Sequence, residues 1–303
     1  MTHRPTTLPE LVEVVSASAL RGQPLRIIGQ GTWLDGGAPV RADAEPVHLD
    51  AFSGIIEYEP GDLTITVGAA TTIEELDAVT AAHHQWCPLS PWGGDAGSVG
   101  ATIATATAGP FAHAFGLPRD LVLGLECVDG TGKVLRPGGK VVKNVAGFDL
   151  TRLMTGAWGT LGAITRVSLR LRARPAVDET WAVPLHATGA AHAERIGAFV
   201  RSHTPPVACE PLDAALAARL DLDAREHLLV RLAGNSAFVG AARAAVSALG
   251  PAAACDTGVW AVLRAVPRAA TMRPAMSPGV RALNERVKHA FDPANILNPG
   301  VMG

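Results

Sequence analysis

The chain has 303 residues, 48% hydrophobic and 18% charged, a composition typical of a globular protein long enough for two domains of ordinary size. Its 26 basic and 28 acidic residues leave a net charge of −2, which excludes the electrostatic footprint of a nucleic-acid binder. Cys87, Cys127, Cys209 and Cys255 form no C-x-x-C pair, which argues against a zinc or iron–sulfur site, and the polar N-terminus carries no leader-like apolar run. Reduced thiols, no metal, no transmembrane segment and a cytoplasmic setting are the expectations.

Residues 8–21 read as an opening helix, with Thr7 as N-cap, Glu10 at capping-box spacing and Gly22 as terminator. A short strand, Leu25–Ile28, runs into Gly29-Gln30-Gly31-Thr32. A dinucleotide fingerprint of the G-x-G-x-x-G kind wants a third glycine where Leu34 stands, and the D-G-G-A-P-V that follows cannot open a helix. The loop is therefore a nest of backbone amides rather than a helix N-terminus. Strands are expected at 47–50, 54–59 and 63–67, then a helix from Thr71 to about His84. Such a strand–strand–helix block belongs to an α+β layer.

The chain then loses its side chains. From Gly93 to Gly109 nothing is larger than Ile103, and Asp95 is the one charge. A stretch this bare is packed against another backbone or holds a ligand against its own, and Gly97, Ser98, Gly100, Ala101, Thr102 and Thr105 fit a diphosphate cradle of amides and hydroxyls. Residues 111–119 read as irregular, 121–128 as a buried strand, and Asp149 as the N-cap of a short helix. Trp158–Gly162 forms another small-residue turn, and 163–172 alternates apolar with polar.

Fifteen of the 32 glycines fall between 91 and 162, but only nine between 175 and 303, which places a domain boundary near Arg174-Pro175. The second segment reads as helices at 188–202, 211–220 and 236–249 with strands at 179–184, 227–232 and 258–263. A helix at about 278–290 and the tail F-D-P-A-N-I-L-N-P-G end the chain.

Six segments in fixed order then carry a resemblance: G-Q-G-T (29–32), G-S-V-G-A-T-I-A-T (97–105), A-F-G-L-P-R-D-L-V-L-G-L-E (114–126), G-G-K-V-V-K-N-V-A-G-F-D-L-T-R-L (138–153), G-A-W-G-T-L-G-A-I-T-R-V (156–167) and the tail (291–300). Together they resemble the vanillyl-alcohol-oxidase/PCMH superfamily of FAD-linked oxidases, and within it the FAD-binding subunits of bacterial glycolate oxidases. The resemblance implies an α+β fold: a PCMH-type FAD-binding domain of two α+β subdomains over 1–174, then a small α+β cap domain over 175–303 whose tail returns to the first. It implies FAD gripped by Gly29–Thr32 and by Gly97, Ser98, Gly100, Ala101 and Thr102, with Thr105 on the flank. Phe115, Gly116, Arg119 and Asp120 would pass along the isoalloxazine and ribityl region, and Gly159, Gly162 and Ile164 would hold the adenine end.

This sequence departs from that pattern in places. Gly100-Ala101 replaces a usual Gly-Gly, Trp158 stands where relatives have Glu, and Phe148 where Tyr is common. No His occurs in either loop where relatives attach flavin covalently, so noncovalent FAD is expected. The implied reaction is oxidation of a 2-hydroxy acid such as glycolate or D-lactate, with flavin supplying the chemistry. His113 and Arg273 are candidates for base and carboxylate ligand by residue type alone. No catalytic residue is assigned. The His-x-x-His and H-x-G-D-G-N-x-H patterns of catalytic relatives are absent, so the resemblance points to an auxiliary flavin subunit. Its implied partners are a catalytic flavoprotein and an iron–sulfur subunit, which could hold it at the inner face of a membrane. A stand-alone oxidase of another alcohol or sugar acid and a noncatalytic FAD-binding partner are the alternatives. Bulky replacements of Gly100 or Gly159 are expected to cost FAD affinity more than stability of the second domain.

Overall fold

The structure is a computed structural model that describes residues 1–139, 149–185, 190–266 and 276–302. The K-V-V-K-N-V-A-G-F run, with Phe148, and Arg273 lie outside the described residues.

Helix α1 (Leu8–Arg21) forms as its caps dictate. Thr7 Oγ1 accepts from Glu10 N at 3.4 Å, and Gly22 closes the helix at φ 64°. The reciprocal half of the cap goes elsewhere than expected, since the Glu10 carboxylate takes the Thr6 amide and hydroxyl. Strands β1 (Leu25–Ile28) and β2 (Glu45–His48) pair in parallel. Leu11 and Val15 of α1 pack on Leu25 and Val47, and the distant Ile296 and Leu297 share that core.

The larger sheet is antiparallel, built from β3 (Ile55–Glu59), β4 (Thr64–Gly68), β6 (Val122–Val128), β7 (Val134–Leu135) and β8 (Ala163–Arg170), in the order β3-β4-β8-β6-β7. Between β4 and β6 the chain makes α2 (Ile73–Ala81), β5 (Gln85–Trp86), α3 (Val99–Thr105), α4 (Ala112–Phe115) and α5 (Pro118–Leu121). A full capping box at Thr72 and Glu75 starts α2. Helix α6 (Leu150–Met154) precedes β8, and β9 (Arg172–Ala173) pairs with β5. Val167 and Leu169 of β8 turn inward while Arg166 and Arg170 are exposed, so period two holds over most of the strand.

A second, four-stranded antiparallel sheet comes entirely from later residues. Strands β10 (Val177–Pro184), β11 (Ala208–Leu212), β12 (His227–Gly234) and β13 (Ala253–Cys255) lie in the order β11-β12-β10-β13. Helices α7 (Ala190–Val200), α8 (Ala214–Arg219), α9 (Ser236–Leu249) and α10 (Val259–Ala265) accompany them, and α11 (Pro278–Phe291) leads to the tail.

The fold is α+β, as read from the sequence. Three local readings are corrected. Residues 258–263 are not a strand: Trp260, Leu263 and Arg264 are buried at i, i+3 and i+4, a helical stripe that the run V-W-A-V-L disguises with β-branched and aromatic residues. The helix expected from 211 begins at Ala214, because Asp213 caps it and Pro211 belongs to β11. The bare stretch and the irregular 111–119 contain three short helices, of which α3 is the longest.

Candidate cofactor site

Three backbone segments distant in sequence converge on one cleft. The first is the end of β1 with Gly29, Gly31 and Thr32. The second is the start of α3 with Ser98, Gly100 and Ala101, joined by Thr105. The third is the turn before β8, with Trp158, Gly159, Gly162 and Ile164. Arg26, Trp33, Leu34, Asn298 and Val301 complete much of the wall.

Close approach explains some of the glycines. A Cβ on Gly29 would lie 2.8 Å from Ser98 Oγ, so glycine lets the first loop touch the second. Gly159 needs the left-handed region at φ 68°, and its Cβ would lie 2.7 Å from Asn298 Nδ2. Gly100 has another reason: a Cβ there would come within 2.6 Å of Ala69 Cβ and 2.8 Å of Ala69 O. It is where α3 rests on the residue that follows β4, and its amide donates to Ala69 O at 2.7 Å.

The tail holds the cleft shut at one end. Asn298 Oδ1 accepts from Ile27 N and its Nδ2 donates to Trp158 O, both at 2.7 Å, so one side chain spans the first and third loops. Behind it, Lys288 Nζ donates to Thr160 O at 2.8 Å, to Leu297 O at 2.9 Å and to the buried Asp292 carboxylate. Burial pushes the Lys288 ammonium below its ordinary pKa, and its bond to Asp292 works against that shift. Asp292 also takes the amides of Ile296 at 3.0 Å and Leu297 at 2.8 Å. Trp158 packs edge to face on Trp33, with ring centroids 6.1 Å apart, and Gly36 and Gly37 leave room for it.

Whether these residues fit a dinucleotide is decided by donors and charge. The amides of Gly29, Gln30, Gly31, Thr32, Gly97 and Ser98 find no protein acceptor among the described residues. Among the described residues Arg26 is the one charged side chain on the cleft wall, and no carboxylate lies there. Unpaired amides without a neighbouring acid favour an anion such as a diphosphate. The residues fit the group.

Not every expected residue reaches the cleft. Gln30 instead donates to Ala70 O at 2.8 Å, and Thr102 is buried with its hydroxyl on Ser98 O at 3.0 Å. Gly97 stands behind Ser98, near Thr32 Oγ1. Thr105 lines the cleft but donates to Ala101 O at 2.8 Å. Phe115 lines a separate cavity of about 800 Å³ with Trp86, Leu123, Arg170 and Arg172. Gly116, at φ 94°, leads into a small helix start at which Asp120 accepts from Leu117 N at 3.0 Å, and Arg119 faces solvent.

His113 Nε2 lies 2.8 Å from Pro206 O, a tie to the second sheet's side of the molecule rather than to the cleft. Burial pushes the thiols of Cys87, Cys127 and Cys209 up to about 12, so none is a thiolate nucleophile at neutral pH. Among the described residues no group of His, Cys, Asp and Glu could hold a metal, and no helix is long and apolar enough to cross a membrane. Sequence reasoning missed Trp33, Asn298 and Val301 as wall residues. The tail motif was visible, but only the fold shows what it touches.

This geometry agrees with the comparisons. Residues 1–138 match the family described as FAD binding domain. In architecture the chain is similar to alkyldihydroxyacetonephosphate synthase, with a TM-score of 0.70 at 16% identity over 86% of this chain and 55% of that one. The matched residues, 1–138, resemble a PCMH-type FAD binding domain, and the architecture of the chain is the one it shares with that synthase. It is 37% identical over 166 residues to glycolate oxidase subunit GlcE of Escherichia coli, which covers 54% of this chain and 47% of that subunit. It is 30% identical over 168 residues to the D-lactate dehydrogenase of Archaeoglobus fulgidus, covering 55% of this chain and 38% of that enzyme. The chain thus spans less than half the length of these two relatives.

Proposed function

We propose that the cleft binds FAD noncovalently and that the chain is the FAD-binding subunit of a glycolate oxidase-type complex, an oxidoreductase acting on the CH–OH group of a 2-hydroxy acid. The observation that carries this reading is the convergence of three amide-bearing loops on one acid-free cleft. Gly29, Gly31, Thr32 and Ser98 on the cleft wall hold the diphosphate through backbone amides, with Gln30 and Gly97 shaping the two loops. The Trp158–Ile164 turn, braced by Asn298, forms the end wall. Among the described residues the cleft wall carries no His, Cys or Tyr, which favours noncovalent binding of the cofactor. Bound flavin would supply the hydride or electron acceptor.

The remaining assignments follow from the likeness to GlcE and to D-lactate dehydrogenase. Residues 1–174 form the FAD-binding unit and 175–303 the cap. Gln30, Thr102, Phe115, Gly116, Arg119 and Asp120 support the cofactor loops rather than forming the cleft wall. The partners are a catalytic flavoprotein and an iron–sulfur subunit, in the cytoplasm at the inner face of the membrane. The chain's own residues bind and orient the cofactor, and among the described residues none offers a base at the cleft, since His113 is spent on Pro206 O. That favours an auxiliary role over a stand-alone enzyme.

Purified protein tests this. A flavin spectrum that acid or heat releases as free FAD supports noncovalent binding. Bleaching by glycolate or D-lactate only after partner subunits are added supports the complex. Bleaching of the isolated chain would show a self-sufficient enzyme, and failure to bind added FAD would sink the reading.

A further inference from the structure

Asp95 is the one charged residue between Gly93 and Gly109, and its partner comes from the far end of the chain. Arg264, in the last turn of α10, places Nη1 2.7 Å from Asp95 Oδ1 and Nη2 2.5 Å from Oδ2. The arginine side chain is 10% exposed and the aspartate 34%. Two backbone contacts follow the same path: Arg264 Nη1 lies 3.5 Å from Pro91 O, and Gly93 N donates to Arg264 O at 2.9 Å. Such a parallel, two-bond fork requires the planar guanidinium.

Both sides of this contact are anchored. Helix α10 is locked to the second sheet by Trp260, buried, whose Nε1 donates to Thr180 Oγ1 at 2.8 Å, and by buried Leu263. The loop is gripped opposite Arg264 by the first turn of α2: Ile73 N donates to Gly97 O at 3.0 Å and Glu74 N to Asp95 O at 3.2 Å. Asp95–Ser98 is therefore suspended between α2 and Arg264. Ser98, at its end, enters the cleft and caps α3. Glycines at 93, 94, 97 and 100 give this segment little rigidity of its own.

We propose that Arg264 is a positioning residue for the cofactor: through Asp95, the second sheet's unit holds the diphosphate loop in its binding shape. The inference rests on the reading of the cleft as an FAD site. FAD affinity is then coupled to the state of the later residues, and by reciprocity bound FAD tightens their attachment to the first unit. A partner that pulled α10 away would loosen the cofactor.

The test uses the full chain with Arg264→Gln, Asp95→Asn and the double variant. FAD dissociation constants come from flavin fluorescence, and the melting temperature without FAD serves as the control. Each single change is expected to raise the constant about tenfold, near 1.4 kcal/mol. The double is expected to raise it no further, because one interaction is lost in all three. Arg264→Lys, which keeps the charge without the fork, should fall between wild type and Arg264→Gln. If Arg264→Gln does not fold, Asp95→Asn and Arg264→Lys carry the same comparison. A lower melting temperature with an unchanged dissociation constant would reduce Arg264 to a structural tie and overturn the proposal. Wild type that binds no FAD would overturn the reading of the cleft, and the coupling with it. Wild type that binds FAD as tightly as its variants would overturn the coupling alone.

Discussion

The two glycine loops that meet at the cleft look alike in sequence and differ in what glycine does for them. Gly31 sits at φ 76° with only Leu34 Cδ1 nearby, 3.7 Å from where a Cβ would be, so its surroundings are open and its constraint is conformational. Gly100 has ordinary helical backbone, and its constraint is the backbone and methyl of Ala69. The first glycine shapes a loop on the cleft wall, whereas the second lets a helix settle on a sheet. A motif match treats both as cofactor residues, and only packing separates them.

Gly100→Leu is the strongest way to break that contrast. The side chain would meet Ala69 head on, and displacing α3 from the core of Val99, Ile103 and Val67 should cost about 3 kcal/mol or more. The melting temperature without FAD should fall, so at this position the first sheet's core should suffer along with FAD affinity. A variant that keeps its melting temperature and loses only FAD would restore the ligand reading of Gly100.

Asn298→Ala ranks next. It leaves Ile27 N and Trp158 O without their side-chain partner, at about 1–3 kcal/mol. Because those groups belong to the first and third loops, FAD affinity and melting temperature should drop together. Unchanged FAD affinity would show that the tail braces the fold without shaping the cleft.

The α+β layering was legible because its signals are local: caps at Thr7, Thr72 and Asp149, the alternation of β8, the turn at 60–62. What was not legible depends on distant partners. Helix α3 has few side chains to show a period, and it is held by Ser98 as N-cap and by Gly100 against Ala69. Residues 258–263 carry strand-forming types, but their burial against the second sheet selects a helix. Asn298 lies 271 residues from the amide it caps, so its motif could be seen while its contact could not.

Gly31→Ala sharpens the contrast from the other side. At φ 76° an alanine carries about 1–2 kcal/mol of strain, and no neighbour obstructs the methyl group. The loop can relax toward another shape without disturbing the core, so FAD binding should weaken several-fold while the melting temperature without FAD changes by less than in Asn298→Ala. Equal losses in both measurements would make the two loops alike after all.

The smallest effect lies away from the cleft, in the later sheet, and shows what an exposed contact contributes by comparison. Glu179 accepts from Arg243 Nε at 2.8 Å and from Trp181 Nε1 at 3.2 Å. The Arg243 hydrogen bond, more than the Trp181 one, holds its carboxyl below the usual 4.5. A carboxylate whose pKa is lower folded than unfolded contributes stability that is complete above the unfolded value and is lost as pH falls through the folded one. Melting temperature should therefore decline below about pH 4.5 slightly more in wild type than in Arg243→Gln, with the two curves converging at the acid end. The ion pair is half-exposed and screened by salt, so the difference at pH 7 should be about a degree or two and should shrink further at high ionic strength. A difference that persists at low pH would assign the stabilisation to the packing of the arginine stem rather than to its charge.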